Sequence, residues 1–530
     1  MKIKFYGKLL FIIIALNLSG GCTTPTKTKF QPTWESLSRY EAPEWFRNAK
    51  FGIYMHWGPM TVVPGHGGWY GRHMYMQNNT EWGNDYALHL RQSGHPSEFG
   101  YKDIIPLWKA EKWDPDELVS FYKNVGARYI ACVAVHHDNF DCYNSSYQPW
   151  NSVNMGPGRD IVGEWRQAVL KYGLKFGVTS HNDRSWTWFS ASYGSDSTGS
   201  LKGVPYDGNL TKNDGRGKWW EGYDPRDLYN RPHKPSEPAD SAYLARWFLR
   251  TMQLIDNYRP DLIYFDGPIP LVGTNSLKGE NGRPVHEKYG LEIVSHFYNA
   301  NREWHLGKPE AVVTVKSWGP GSVYDQNAVV MDVEKGTVNH IREKPWQTDT
   351  SIPGTWFYNG SGMAELSDTV IVHNLCDIVS KNGNMMLNVG LRPDGTLPDH
   401  ERSILEGIGR WLQINGEAIY ETRPWTIFGE GITPVREGEF NQNTKPFTSG
   451  DIRFTTRDDV LYAIVLGWPE NGTVLIKTLN TQSEHLPGKI RSIKMLGSES
   501  KIKWERDLSG LTVWFPDMPP CEFAYVFKIK

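Results

Sequence analysis

A chain of 530 residues is too long for one compact core, so two domains are expected. A formal net charge of −2, with no basic cluster and no acidic tail, argues against a nucleic-acid partner. With 23 Trp and 26 Tyr the chain is rich in the rings that stack on sugars, although most of them belong in a core.

The chain begins with Lys2, Lys4 and Lys8, then an apolar run from Leu9 to Leu16, then Leu18-Ser19-Gly20-Gly21-Cys22. A basic start, a short greasy stretch and small residues before a cysteine read as a secretory signal. The small residues before Cys22 resemble a bacterial lipoprotein box, with Cys22 carrying the lipid after cleavage. Ser19 departs from that pattern, and an ordinary signal peptide that contains a cysteine is the other reading. The expectation is a protein of the bacterial cell envelope, periplasmic or an outer-membrane lipoprotein, anchored to the membrane only at Cys22. Residues 1–22 are then the leader and 23–33 a linker. No other apolar run reaches spanning length. Cys132, Cys142, Cys376 and Cys521 are scattered, without the paired spacing of zinc ligands, and a disulfide among them is left open.

From residue 34 strands and helices alternate. Lys50 to Gly58 is a strand that ends in His56-Trp57-Gly58. Asp114-Pro115-Asp116-Glu117 opens a helix, with Asp as cap, Pro in the first turn and acids at the positive end. Arg128 to Val135 is a strand ending in His136-His137-Asp138. A helix runs from Asp160 to Tyr172, then a strand from Lys175 to Ser180, then His181. The stretch from Ser185 to Pro238, rich in Gly, Asp, Trp and Tyr, reads as a loop insertion that shapes a pocket. Asp240 to Tyr258 carries apolar residues at helical spacing and leads to Leu262-Ile263-Tyr264-Phe265. That unbroken apolar run fits a strand buried on both faces of a parallel sheet. Residues 311–315 and 328–333 are further strand candidates. The alternation predicts a (β/α)8-like barrel of the TIM type over residues 34–424. About six strands can be counted, so an incomplete or distorted barrel stays open. Short alternating runs after residue 424 predict an antiparallel β-sandwich over 425–530, with a structural role and no catalytic cluster.

Asp266 follows the apolar strand directly, where barrels of this kind do their chemistry. It is either a catalytic carboxylate or an acid that opens a loop. Histidines collect at strand ends as His56, His136, His137 and His181. His-His-Asp suits a metal, yet adjacent strand residues point to opposite faces, and imidazoles serve sugar hydroxyls equally well.

Five blocks, in order, carry a resemblance. They are residues 50–58 (KFGIYMHWG), 136–140 (HHDNF), 159–164 (RDIVGE), 264–267 (YFDG) and 379–390 (VSKNGNMMLNVG). Together they resemble glycoside hydrolase family 29, the α-L-fucosidases, over about residues 34–425. The resemblance implies a retaining exo-acting hydrolase of terminal α-L-fucose, with an oligosaccharide or polysaccharide as substrate and no metal or other cofactor. On the matching positions it implies Asp266 as nucleophile. His56, His136 and His137 would hold sugar hydroxyls, and Trp69 and Trp356 would line the pocket. His181, at the next strand end, joins the substrate-binding set. A retaining pair needs a second carboxyl, and Glu334 in Asp332-Val333-Glu334-Lys335-Gly336 is the acid/base candidate, with Glu292, Glu303 and Asp332 as fallbacks. The chain departs from the family at Gly68-Trp69-Tyr70, where a Glu is usual, at Lys316 in place of an arginine, and at His181-Asn182-Asp183-Arg184 in place of an aromatic pair. These departures touch the pocket, so an α-L-galactosidase is an alternative. A carbohydrate-binding homologue without turnover and a metal-dependent hydrolase are the competing classes.

Overall fold

The computed structural model describes residues 29–81, 83–267, 287–316, 327–360 and 366–530; the expected leader, Cys22 and most of the 23–33 linker lie outside them. Eight parallel strands close into a barrel: β1 (Phe51–Met55), β2 (Tyr129–Val135), β3 (Lys175–Ser180), β4 (Leu262–Phe265), β5 (Val312–Lys316), β6 (Val330–Asp332), β7 (Trp346–Ser351) and β8 (Gly383–Val389). They follow one another around the ring in chain order, and β8 pairs back onto β1. The side chains of Asp114, Asp160 and Asp240 accept from backbone N–H groups at the starts of three barrel helices, at Asp114 the cap that the sequence predicts. Gly52 in β1 is dictated by packing: a Cβ there would sit 2.3 Å from the ring of Tyr129 on the next strand.

The barrel is therefore complete, and β7 and β8 are the strands that the apolar pattern does not reveal. Strand β7, WQTDTS, is polar yet buried along its whole length. Its inward side chains bond to other strands of the ring: Gln347 Nε2 donates to Asp332 Oδ1 on β6 at 2.9 Å, and Tyr54 on β1 and Tyr264 on β4 donate to Asp349 Oδ2 at 3.0 and 3.1 Å. A strand whose inner face is a hydrogen-bond network carries no period-two apolar signal. Strand β8 follows the helix Asp368–Ser380 with only Lys381 and Asn382 between them, the latter making the turn in a left-handed conformation (φ 72°).

The eight strands after the barrel form two antiparallel sheets. They are β9 (Arg423–Glu430), β10 (Ile452–Arg457), β11 (Val460–Val465), β12 (Thr473–Ile476), β13 (Ile493–Met495), β14 (Trp504–Arg506), β15 (Leu511–Trp514) and β16 (Tyr525–Ile529). The five-stranded sheet has the order β13-β16-β11-β10-β9 and the three-stranded sheet β12-β15-β14. Alternate residues of the larger sheet face two different cores. Ala463, Val465 and Phe527 pack against the smaller sheet, while Tyr462, Ile464 and Val526 join the hydrophobic cluster of the barrel. Arg453 on β10 crosses this boundary, with Nε 2.6 Å from Oδ1 of the buried Asp377 on the helix Asp368–Ser380. Lys381 Nζ reaches the other Asp377 oxygen at 2.7 Å, and Thr337, in the loop after β6, donates to the same oxygen at 3.1 Å.

The first described residues run along the outside of the helix Glu287–Trp304. Lys29 Nζ lies 3.0 Å from Glu303 Oε1, and the Phe30 N–H donates to Asn299 Oδ1 at 2.9 Å. Further on, Tyr40 donates to the carbonyl of Ala311, immediately before β5 (3.0 Å). Lys29 and Phe30 thus sit where that helix ends and β5 begins, on the face of the barrel from which the strands start.

Candidate active site

A cleft of about 500 Å³ opens at the opposite face, where the strands end. Asp266, the first residue after β4, stands at its floor and is buried. Lys316, the last residue of β5, places Nζ 2.6 Å from Asp266 Oδ1. His137 Nε2 and His181 Nδ1 approach Oδ2 at 3.2 and 3.3 Å. Burial pushes the Asp266 carboxyl up, but Lys316, His181 and His137 together outweigh it and hold its pKa well below the ordinary carboxylate range. An ionised carboxylate so far from water costs several kcal/mol unless it is paired, on the order of the burial penalty for one ion; the Lys316 ammonium meets that need here, with the two imidazoles beside it.

Strand ends supply the histidines, and β2 shows how. Its pairing with β3 shifts register between Val133 and Val135, and the strand stops at Val135. His136 and His137 lie beyond that irregularity, so the opposite-faces rule no longer applies, and both line the cleft with ring centroids 4.3 Å apart. Asp138 does not join them: its carboxylate turns to the Tyr101 hydroxyl and the Phe140 N–H. His56 donates from Nδ1 to Asn388 Oδ1 at 2.9 Å, because the Asn388 amide nitrogen is committed to Ser351 and to the carbonyl of Trp356. Burial, with His181 adding to it, holds the His56 pKa well below its usual value, so Nε2 is a lone-pair acceptor. Burial also takes His137 down to about 4. Its Nδ1 is 2.6 Å from the His181 carbonyl and must donate there, which leaves Nε2 as the polar atom facing Asp266. His136 Nδ1 is buried with no partner among the described residues.

Trp69 and Trp356 form walls. Trp69 leans on Trp188 from the 185–238 insertion at 5.2 Å between centroids, and Trp356 lies 5.2 Å from the His56 ring. Gly68 also lines the cleft, and a Cβ built on it would meet nothing within 4 Å.

Glu334 stands in the loop after β6, and its Oε2 makes a short ion pair with the same Lys316 Nζ that holds Asp266. Two carboxylate oxygens that both touch one nitrogen can be no more than about 6 Å apart. Burial raises the Glu334 pKa against the pull of Lys316, with Asp349 and Asp266 adding to the rise. Asp332 lies deeper, beside Gln347, and its carboxyl is held well above the usual range by burial and by Asp349. The remaining fallbacks are elsewhere: Glu292 and Glu303 are exposed on the helix Glu287–Trp304, the latter paired with Lys29.

Two features go beyond the sequence reading. Asp349 sits under the site on the polar strand β7. The second is a wall from the segment between β9 and β10, a region expected to carry no chemistry: Glu439, Phe440, Gln442 and Thr444 all line the cleft. No motif marks that segment, and it comes near the barrel mouth only through tertiary pairing.

The buried imidazoles could also hold a cation: one ring nitrogen each from His56, His136 and His181 lie within 4.8 Å of one another, as do ligand atoms of His137, His181 and Asp266. Among the described residues Cys132, Cys142, Cys376 and Cys521 are free thiols.

Comparison with known proteins agrees with this architecture. A family model described as Alpha-L-fucosidase matches residues 18–417, and one described as Alpha-L-fucosidase C-terminal domain matches 442–530. The tissue alpha-L-fucosidase of Rattus norvegicus is 27% identical over 519 residues, spanning 97% of this chain and 94% of its own. The plasma alpha-L-fucosidase of Homo sapiens is 25% identical over 527 residues, 96% of this chain and 94% of its own. Among solved structures, the alpha-fucosidase of Thermotoga maritima with a mechanism based inhibitor superposes with a TM-score of 0.69 at 26% identity, covering 94% of this chain and 100% of that one. The same protein with fucose gives 0.67 at 26% identity, over 95% and 100% of the two chains. A closed barrel with an acid pair at its mouth, a second antiparallel domain and matches over nearly the whole length lead to one conclusion: the chain belongs to the α-L-fucosidases, glycoside hydrolase family 29.

Proposed function

We propose that the protein is a retaining exo-α-L-fucosidase acting on fucosylated glycans. Asp266 attacks the anomeric carbon as Glu334 passes its proton to the leaving oxygen, giving a covalent glycosyl-enzyme. Glu334, now a carboxylate, takes a proton from water, which displaces Asp266 and releases the sugar with its configuration retained. The observation that carries this reading is the single Lys316 ammonium touching both carboxylates. One ammonium shared by both groups keeps their nearest oxygens within about 6 Å, the close approach that a double displacement, with carboxyls about 5–5.5 Å apart, calls for. His56, with its Nε2 lone pair, and His136, His137 and His181 receive the sugar hydroxyls, between the aromatic walls of Trp69 and Trp356.

The open space at Gly68 supports a second reading, an α-L-galactosidase, because a sugar with one more hydroxyl needs room in the wall. A basic, apolar and small-residue leader ending at Cys22 supports export to the bacterial cell envelope with a lipid on that cysteine.

The test compares aryl α-L-fucoside with aryl α-L-galactoside and follows the product by NMR. The fucoside should be the faster substrate, the first sugar released should be the α-anomer, and Asp266→Asn should lower turnover by at least about 10³-fold in a folded protein. A chelator should leave the rate unchanged. A β-anomer as first product, or wild-type turnover by Asp266→Asn, would defeat the assignment.

A further inference from the structure

The fucose-binding floor of the cleft accounts for β1 to β5, but not for the wall opposite. That wall is the segment 438–444, which enters from the second domain and runs along the loop after β6. The Gly438 N–H donates to the Thr337 carbonyl at 2.9 Å, the Phe440 N–H to the Glu334 carbonyl at 2.8 Å and the Gln442 N–H to the Lys335 carbonyl at 2.8 Å. The approach is so close that a Cβ on Gly336 would lie 2.4 Å from the Gly438 carbonyl oxygen. The segment is therefore ridged onto the backbone that carries the proposed acid.

Three side chains on this segment are not explained by packing. Phe440 is 62% exposed at the edge of the cleft and sits at φ 57°, a backbone conformation that residues with a side chain rarely adopt. An aromatic ring that is both exposed and held in an unfavourable backbone is not placed there by core formation. Glu439 Oε1 is buried without a hydrogen-bond partner among the described residues, although its carboxylate faces the cleft. Gln442 accepts at Oε1 from the Thr350 hydroxyl, so its amide N–H groups are what it offers to a ligand. An unpaired acceptor, a set of donors and an open ring face are the components that bind a pyranose: carboxylate and amide for hydroxyls, the ring for a C–H face.

Position says which sugar. The acid must face the oxygen that leaves, and Phe440, bonded to the Glu334 carbonyl, flanks it together with its neighbours Glu439 and Gln442. We propose that Glu439, Phe440 and Gln442 form a leaving-group subsite, in which Phe440 stacks on the sugar that carries the fucose and Glu439 and Gln442 hydrogen-bond its hydroxyls. The subsite makes the enzyme selective for fucose linked to a saccharide over fucose linked to a small leaving group. This rests on the reading of Asp266 and Glu334 given above. Burial, opposed by Lys316 and reinforced by Glu334, takes the Glu439 carboxyl up to about 7, so near neutrality it can donate as well as accept.

The experiment measures kcat/KM on two substrates: the fucosyl disaccharide that the wild type cleaves fastest in a panel of linkages, and α-L-fucosyl fluoride, whose leaving atom cannot reach the segment. The variants are Phe440→Gly, which removes the ring and suits the left-handed backbone, Phe440→Tyr, which keeps the platform, and Glu439→Gln. The ratio of the two constants, disaccharide over fluoride, should fall about tenfold in Phe440→Gly and in Glu439→Gln, chiefly through KM, and stay within about twofold of wild type in Phe440→Tyr. A ratio unchanged in Phe440→Gly and Glu439→Gln, whether through equal losses on both substrates or no loss on either, overturns the subsite. A wild type that hydrolyses neither substrate overturns instead the function on which the subsite depends.

Discussion

Lys316 is one ammonium serving two acids with opposite needs. It holds Asp266 charged, and it tempers the rise that burial imposes on Glu334. If Lys316 is replaced by Gln, Asp266 loses its strongest electrostatic support and its pKa rises. The attacking group must be ionised, so the acidic limb of the kcat/KM profile should move to higher pH on loss of the adjacent opposite charge. An acidic limb that does not move would show that the histidines alone keep the carboxylate charged. Glu334→Ala should cost about 10²–10⁴-fold on a disaccharide and much less on fucosyl fluoride, since a good leaving group needs little protonation. Equal losses would move the acid to another carboxyl. The sequence makes Asp266 a candidate as the acid directly after four core residues, and the resemblance to the family chooses the nucleophile over an acid that opens a loop. The histidines are legible in the same way, as polar punctuation at strand ends. Glu439 is not legible, because its neighbourhood is created by backbone pairing with residues about a hundred positions earlier.

At the scale of elements, the legible strands are those whose side chains partition by polarity. Strand β4 announces itself by an unbroken apolar run, the helix after Asp114 by its cap, and the helix that ends at Tyr258 by its apolar spacing. Strand β7 is invisible to that logic because Gln347, Asp349 and Ser351 find their hydrogen bonds on other strands of the ring, at Asp332, Tyr54, Tyr264 and Asn388, and only the closed topology reveals them as interior. The helix Asp368–Ser380 behaves similarly, since Asp377 looks like a surface residue until Arg453 is brought to it. That contact is testable. Removing one partner of a buried pair leaves an uncompensated charge, so Asp377→Asn should destabilise the fold by about 3–5 kcal/mol near neutral pH. Burial raises the Asp377 pKa, but Arg453 and Lys381 overcome it and leave the value below normal. A depressed carboxylate contributes stability above its unfolded pKa of about 3.9 and loses it as the pH falls through the folded value. The gap between wild type and variant in denaturant unfolding should therefore narrow below about pH 4, and a gap independent of pH would assign the loss to packing instead.

For the whole molecule, the central strands β10, β11 and β16 of the second domain's larger sheet are buried on both faces, one of them inside the barrel's own hydrophobic cluster. Two cores that share a sheet should not melt separately. Scanning calorimetry should give one cooperative transition, and two resolved peaks would mean that the shared face contributes little. The same joint carries the loop after β6 through Thr337 and the segment through Gly438, so the second domain fixes the geometry of the cleft from outside the barrel.

If Cys22 carries a lipid, the docking of Lys29 and Phe30 sets an orientation in space. The few residues between Cys22 and Lys29 reach at most about 25 Å when fully stretched. A protein held at Cys22 would therefore stand with the bottom of its barrel toward the lipid headgroups and its mouth turned outward, so that long, branched glycans approach from the aqueous side without meeting the bilayer.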